Sequence, residues 1–183
     1  MGRPSTMKPV SAALLLVTLL AAWPLDAAAR GVYLTAEQFL AEGFPTGEPG
    51  LQTLWLSPEL RGRGSDLLDR PLPLRVRYWR SGGRTAWILD EIGKTHPITI
   101  GVVVEGDAIA AIRVLEFRES RGDEVRFPFF TQQFEGAALS KGGSTRLDRH
   151  IDGITGATLS VRAMGKVARL ALLLHAEVIH GSS

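Results

Sequence analysis

Two neighbouring apolar runs constrain the fold of this chain more than any other feature. Residues Ile98–Val104 and Ala108–Phe117 are rich in β-branched and aliphatic side chains, and Glu105-Gly106-Asp107 separates them. Runs of this length and composition, bounded by a turn, predict two strands of a β-hairpin. Because both runs are apolar almost throughout, and do not alternate with polar residues, we expect the hairpin to lie centrally in a sheet that is covered on both faces.

Weaker patterns surround this hairpin. Leu74–Trp79 alternates between apolar and polar positions, Ser81-Gly82-Gly83 predicts a turn, and Thr85–Leu89 returns as the partner strand. Leu51–Leu56 is a further strand candidate, and Ser57–Leu68 reads as helical or irregular. Thr35-Ala36-Glu37-Gln38 is typical of a capping box before a short helix, and Leu159–Ile179 has the apolar spacing of a long one. The predicted class is α+β, with an antiparallel or mixed sheet and helices packed on it.

The first 29 residues have a different character from the rest. Arg3 and Lys8 precede an uncharged apolar run, Ser11–Trp23, and Ala27-Ala28-Ala29 follows. This order is typical of a secretory signal peptide with cleavage after Ala29, which predicts a periplasmic or other extracytoplasmic location. The run is short for a bilayer span of about 20 residues. Retention as a membrane anchor is the alternative.

Charge and cysteine content exclude several classes of function. Without residues 1–29 the chain keeps 19 of its 21 basic and 18 of its 19 acidic residues. This near-neutral balance gives no electrostatic basis for binding nucleic acid. The chain has no cysteine, which excludes disulfides, iron–sulfur clusters and thioether-attached haem. The four histidines lack the spacing of a zinc site, so redox chemistry would require an organic cofactor.

The stretch Asp152-Gly-Ile-Thr155-Gly156-Ala157-Thr158-Leu-Ser160 leads into the long C-terminal helix. Free amides and the dipole at a helix N-terminus favour a bound phosphate, and Gly156 permits close approach to the backbone. A hydroxyl placed there is well positioned to be joined to a phosphate. The alternative is that Thr155 or Thr158 only caps the helix and that Asp152 is a loop acid.

This stretch resembles the flavinylation motif of the FMN-binding domain family, Asp-x-x-Ser/Thr-Gly-Ala-Thr followed two residues later by Ser or Thr. The family includes flavoprotein subunits of the Rnf complex and of the sodium-pumping NADH:quinone oxidoreductase. In that family a flavin transferase takes FMN from FAD and joins it through a phosphoester to the last threonine. The resemblance implies that Thr158 is the acceptor, that Asp152, Thr155 and Ser160 serve recognition or orientation, and that Gly156-Ala157 provides clearance.

Two further segments support the resemblance. Glu119-Ser120-Arg121-Gly122 is similar to the family's Glu-Thr-Pro-Gly loop, which implies that Glu119, Ser120 and Gly122 lie near the flavin, although Arg121 replaces proline. Leu89–Ile98 resembles a segment of small exported members, which implies that Glu91 and Lys94 face the cofactor. An ordinary charged turn is the alternative for each segment. Phe127, Phe129, Phe130 and Phe134 are candidates for stacking on a flavin ring or for the core.

The resemblance implies three parts: a signal peptide (1–29), an N-terminal segment (30–72) and an FMN-binding domain (73–180). The expected function is that of an exported protein that carries FMN covalently on Thr158. It would transfer electrons to or from a membrane or envelope redox system and would not act as a stand-alone catalyst. Its expected partners are a flavin transferase and membrane or envelope electron-transfer proteins. The alternatives are a non-redox ligand-binding, sensory or scaffold module, and a hydrolase with a threonine or serine nucleophile, for which no nucleophile elbow is present.

Overall fold

The structure is a computed structural model that describes residues 1–2, 30–142 and 144–181. The predicted signal peptide, residues 1–29, therefore falls almost entirely outside the described residues. Among those residues no helix is long and apolar enough to cross a membrane. The strands are β1 (Gly31–Val32), β2 (Gly50–Trp55), β3 (Arg75–Ser81), β4 (Arg84–Ile92), β5 (Pro97–Glu105) and β6 (Ala108–Phe117). The helices are α1 (Ala36–Gly43), α2 (Pro58–Leu68), α3 (Pro128–Thr131) and α4 (Thr158–His180).

The strands form one antiparallel sheet in the order β1-β6-β5-β4-β3-β2. The α+β class is confirmed, and so is the central hairpin, which is β5 and β6 joined at Gly106. The turn at Gly82-Gly83 and its two flanking strands are also confirmed. Strand β1, which has only two residues, is an element that the sequence patterns did not predict.

Helices cover both faces of the sheet centre, which explains why β5 is apolar from Ile100 to Val104. Alternate side chains such as Ile100 and Val102 face α4 and join the main core with Met164 and Leu174. The next residue, Val103, faces α1 and joins a second cluster around Phe39. The central part of a strand that is buried on both faces favours apolar residues at every position.

The short helices begin where the sequence provides caps. At α1 the Thr35 hydroxyl accepts a hydrogen bond from the Gln38 amide at 3.1 Å, and the Gln38 side chain accepts one from the Thr35 amide, so the capping box is confirmed. Helix α2 is continuous from Pro58 although Gly64 lies within it. A Cβ at Gly64 would lie 2.3 Å from Leu72 Cδ1, so glycine permits the close packing of this helix.

A buried polar network ties α4 to the sheet. The Gly106 carbonyl contacts His175 Nε2, so that nitrogen carries the proton. His175 Nδ1 then accepts from the Thr85 hydroxyl at 2.7 Å, and Trp87 Nε1–H donates to the same hydroxyl oxygen at 2.8 Å. Burial lowers the pKa of His175, and it outweighs the opposing effect of the Gly106 carbonyl. The imidazole is therefore neutral in the folded protein at pH 7.

Candidate functional site

A cleft of about 490 Å³ lies at one end of the sheet, between three segments of the chain. Strand β4 ends and β5 begins there, β6 ends there, and α4 starts opposite them. The residues lining the cleft are Lys94 from the β4–β5 turn, Glu119, Ser120 and Arg121 from the loop after β6, and Gly156, Ala157, Thr158, Leu159 and Ser160 at the start of α4. The antiparallel topology therefore brings together three segments that are far apart in sequence.

Glu119 holds the β4–β5 turn in place. Its Oε1 accepts hydrogen bonds from the backbone amides of Lys94, Thr95 and His96, the last at 2.8 Å. Successive amides that converge on one oxygen form an anion nest. Burial raises the pKa of the Glu119 carboxyl, but the backbone hydrogen bonds of the turn bring it below its usual range. Glu119 is thus a charged wall residue whose carboxylate is already occupied.

The loop after β6 and the start of α4 meet at a close contact between Gly122 and Ser160. Gly122 has φ +90°, in the left-handed region. A Cβ at this position would lie 2.6 Å from Ser160 Oγ and 3.4 Å from Ala157 Cβ. Glycine is therefore required by backbone conformation and by space, and the contact fixes the distance between two walls of the cleft.

A tight turn places the start of α4. The Ala157 amide donates to the Ile154 carbonyl at 3.0 Å, and Gly156 takes φ +85°. Ala157 is the N-cap residue, and no side chain caps the helix. The interpretation that Thr155 or Thr158 caps α4 is therefore wrong, because Thr158 is already the first helical residue and Thr155 lies within the turn.

The groups left free around the cleft suit an anion. Ser160 is only 4% exposed and its hydroxyl has no hydrogen-bond partner among the described residues. Neither Lys94 nor Arg121 has a carboxylate within 4.0 Å in the part of the chain that the structure describes. The N-terminus of α4 adds its amides and about half a positive charge. The cleft volume is in the range of cofactor sites. These donors fit the phosphate of FMN, and the Thr158 hydroxyl is exposed beside them.

Asp152 and Thr155 are not among the residues that line the cleft. The Asp152 amide donates to Gln133 Oε1 at 2.7 Å, while its carboxylate is exposed and lies 3.5 Å from His150 Nε2. Thr155 is exposed at the turn. Both residues are therefore accessible from outside the protein on the approach to Thr158.

Glu91 is itself buried and lies away from the cleft, in an ion cluster that reaches the surface at Asp69 and Arg70. Its carboxylate is 3.4 Å from Arg70 Nε and 3.5 Å from Lys166 Nζ, and Lys166 also donates to Asp69 at 2.7 Å. Glu91 therefore joins the end of α2 to α4 and is not brought together with Lys94, although only two residues separate them in sequence.

The four phenylalanines divide into two pairs. Phe130 and Phe134 are fully buried and meet edge to face, which agrees with the core alternative. Phe127 and Phe129 are exposed and stack on each other at 6.3 Å, and the Arg126 guanidinium lies 4.0 Å from the Phe127 ring centroid. None of the four lines the cleft.

Leu159 is the cleft residue that the sequence patterns did not single out. It is 38% exposed although it is apolar, and its position between two motif residues is the only signal that marks it. Across the described ranges, no group of three or more acidic or histidine side chains is arranged to hold a metal ion.

Comparison with known proteins agrees with this geometry. Residues 93–173 match the family model described as FMN-binding domain. That range includes every residue that lines the cleft. No curated protein and no solved structure matches the chain. The match of residues 93–173 to this family model supports a flavin-binding protein with FMN as its cofactor.

Proposed function

We propose that this protein is exported and carries FMN covalently, through a phosphoester to Thr158, and that it transfers electrons. The observation that carries the proposal is the position of the Thr158 hydroxyl. It is exposed on the first residue of an uncapped helix and lines a cleft together with Lys94 and Arg121. A phosphate joined there would meet the helix amides and two cations without a competing side chain.

The attachment would be made by a separate flavin transferase with FAD and Mg²⁺. Thr158 Oγ attacks the phosphorus on the FMN side of the anhydride and forms a P–O bond. The anhydride bond to AMP breaks, AMP leaves with the electron pair, and the hydroxyl proton passes to a base of the transferase. The exposed Asp152 and Thr155 are accessible for recognition by that enzyme, and Gly156 leaves open space next to Thr158.

Bound FMN supplies one- or two-electron transfer, and the protein positions and tunes it. The cleft opens at the surface, where a partner protein can approach. The expected partners are membrane or envelope electron-transfer proteins. Outside the cytoplasm a dissociated flavin would be lost, which gives covalent attachment a physical purpose.

The test is the intact mass of the exported chain from a host that has a flavin transferase in the same compartment. We expect an increase of one FMN minus one water, with in-gel flavin fluorescence that survives denaturation and maps to the Thr158 peptide. Thr158→Ala should abolish both signals, and Thr46→Ala, the same change at an exposed threonine outside the cleft, should keep the covalent mass. An unmodified mass, while a known acceptor protein in the same host is labelled, would overturn the proposal.

A non-redox binding module is the second candidate. It is favoured by the same donors, because Lys94, Arg121 and the α4 amides can hold a phosphate without any bond to Thr158. Such a protein would bind FMN reversibly, and Thr158→Ala would leave that binding unchanged. An unchanged intact mass of the exported chain, together with reversible FMN binding in equilibrium dialysis, would favour this second candidate.

A further inference from the structure

The pairing between β3 and β4 ends after three residue pairs. Trp79, Arg80 and Ser81 pair with Ala86, Thr85 and Arg84, yet β3 begins at Arg75 and β4 continues to Ile92. Strand β2 stays paired with β3 from Gly50–Arg80 to Trp55–Arg75. Strands β2 and β3 therefore diverge from β4 as a two-stranded ribbon, and a slot separates the ribbon from the rest of the sheet.

This slot holds a cavity of about 490 Å³. Its apolar walls come from both strands and from the helical layer behind them, chiefly Leu72, Val76, Ile88, Leu89, Val167 and Leu170. It shares no lining residue with the cleft at Thr158. A cavity of this size with mostly apolar walls and few polar groups has the character of a small-molecule site.

The polar groups of the slot carry an excess of positive charge. Arg75 and Arg77 line it from the outer face of the ribbon, and neither has a carboxylate within 4.0 Å among the described residues. The Arg75 guanidinium lies over the Trp55 ring at 5.6 Å from its centroid, a weak cation–π contact that leaves it free to bind an anion as well.

The one acid that lines the slot, Asp90, is already engaged. Its carboxylate accepts from the Thr99 hydroxyl at 2.5 Å and lies 4.0 Å from Arg118. Arg70, the third cation of the lining, donates to the Asp90 carbonyl at 2.8 Å and pairs with Glu91. Arg75 and Arg77 are therefore the charges that remain for a ligand.

We propose that the slot between β3 and β4 binds an amphipathic anion: a single alkyl chain that lies among the apolar side chains, with a carboxylate or phosphate headgroup on Arg75 and Arg77. An alkyl chain suits this floor better than an inserted peptide strand. Side chains such as Leu72, Val167 and Leu170 can cover an alkyl chain, which has no polar group to satisfy, whereas the backbone partners for a peptide strand are limited to the open edges of β3 and β4. The proposal is independent of the flavin and of Thr158.

The test is a chain-length series of n-alkyl carboxylates and alkyl phosphates, below their micelle concentrations, with the matching neutral alcohols. Binding is measured by competition with cis-parinaric acid, whose emission is excited by energy transfer from the tryptophans in and near the slot wall, Trp79 among them. We expect the dissociation constant to fall about fourfold per added CH₂ until the slot is full, because each buried methylene contributes about 0.8 kcal/mol. The headgroup that binds more tightly identifies the source as a fatty acid or a lipid phosphate.

Variants separate the slot from the rest of the surface. Arg75→Glu/Arg77→Glu should weaken anion binding at least tenfold and leave the neutral alcohols unchanged. Arg61→Glu/Arg162→Glu makes the same charge change on exposed helix positions outside the slot and should have no effect. Leu89→Trp should fill the slot and abolish binding of both anions and alcohols; its unfolding curve checks that it folds.

Three results would overturn the proposal. The first is that the alkyl anions do not bind up to their solubility limit. The second is that their binding does not depend on chain length, or is weakened equally in the control variant Arg61→Glu/Arg162→Glu. The third is displacement of the probe by an acidic peptide but not by the alkyl anions. Flavin content does not enter any of these readouts, so they stand apart from the test at Thr158.

Discussion

Replacing Gly122 by alanine should destabilise the protein more than the same replacement at Gly156, although both glycines have a positive φ. The two backbone angles are nearly equal, +90° and +85°. Their surroundings differ: a Cβ at Gly122 would lie 2.6 Å from Ser160 Oγ, whereas a Cβ at Gly156 would have nothing within 4 Å. The pair therefore separates the cost of conformation from the cost of contact.

The conformational cost of a left-handed alanine is about 1–2 kcal/mol at either position. Alanine also stiffens the unfolded chain, which offsets about 0.4–1 kcal/mol. At Gly122 the added Cβ also forces the Ser160 side chain out of its rotamer, which costs a further ~0.5–1.5 kcal/mol. The expected net losses are about 1 kcal/mol for Gly156→Ala and about 2 kcal/mol for Gly122→Ala. For a chain of this size they correspond to about 2–4 °C and 4–8 °C in Tm.

Denaturant unfolding at pH 7 measures these differences. Ser160→Ala removes the atom that is in the way, so Gly122→Ala/Ser160→Ala should recover about 1 kcal/mol relative to the sum of the single variants. Equal losses for the two glycine variants, or a double variant that is strictly additive, would refute the close approach of the loop to α4.

Three further predictions concern charged and titratable groups. The pKa of His175 is lowered in the folded protein and is about 6.5 in the unfolded chain, so its contribution to stability is complete above pH 6.5 and falls by up to about 1.4 kcal/mol per pH unit below that value. The free energy of unfolding should therefore depend less on pH between 7 and 5 in His175→Gln than in the wild type, and an equal dependence would contradict the neutral assignment. Glu119→Gln should cost about 2 kcal/mol, because hydrogen bonds to a charged acceptor are stronger, and hydrogen exchange at residues 94–96 should accelerate. Glu124→Gln, at an exposed acid in the short 3₁₀ helix Asp123–Arg126, should change neither. Lys166→Met should cost about 2–3 kcal/mol because it leaves the buried Glu91 carboxylate with one cation fewer, and Glu91→Gln in the same background should recover part of that loss in the free energy of unfolding.

The local parts of the fold could be predicted from sequence because their causes are local. The hairpin of β5 and β6 follows from two apolar runs and one Gly-containing turn, and α1 follows from a capping box. The position of Thr158 at a helix start follows from the Gly-Ala pair before an apolar helix. The two-residue strand β1 carries no such signal, since it forms only where β6 offers an edge.

The site could be predicted only as a set of segments, because its geometry comes from contacts between them. No pattern in the sequence shows that Glu119 binds the turn after β4 or that Gly122 touches Ser160. Glu91 and Lys94 looked equivalent, yet the side chain of Glu91 turns toward α4 and is buried while Lys94 lies in the cleft. The slot between β3 and β4 depends on where a strand ladder stops, which strand patterns do not report.

The position at which β1 begins bears on the rate at which the cleft would encounter a partner protein. Gly31 pairs with Phe117, two residues before Glu119, so β1 begins at the end of the sheet that holds Thr158. A chain of n residues reaches at most about 3.5 Å × n. If the proposed leader is retained in a membrane, we expect the cleft to stay within tens of ångströms of it, at an effective concentration in the millimolar range for the proposed partners there. If the proposed leader is removed, each encounter becomes second order, and the rate of the proposed electron transfer would scale with the amount of protein in the compartment.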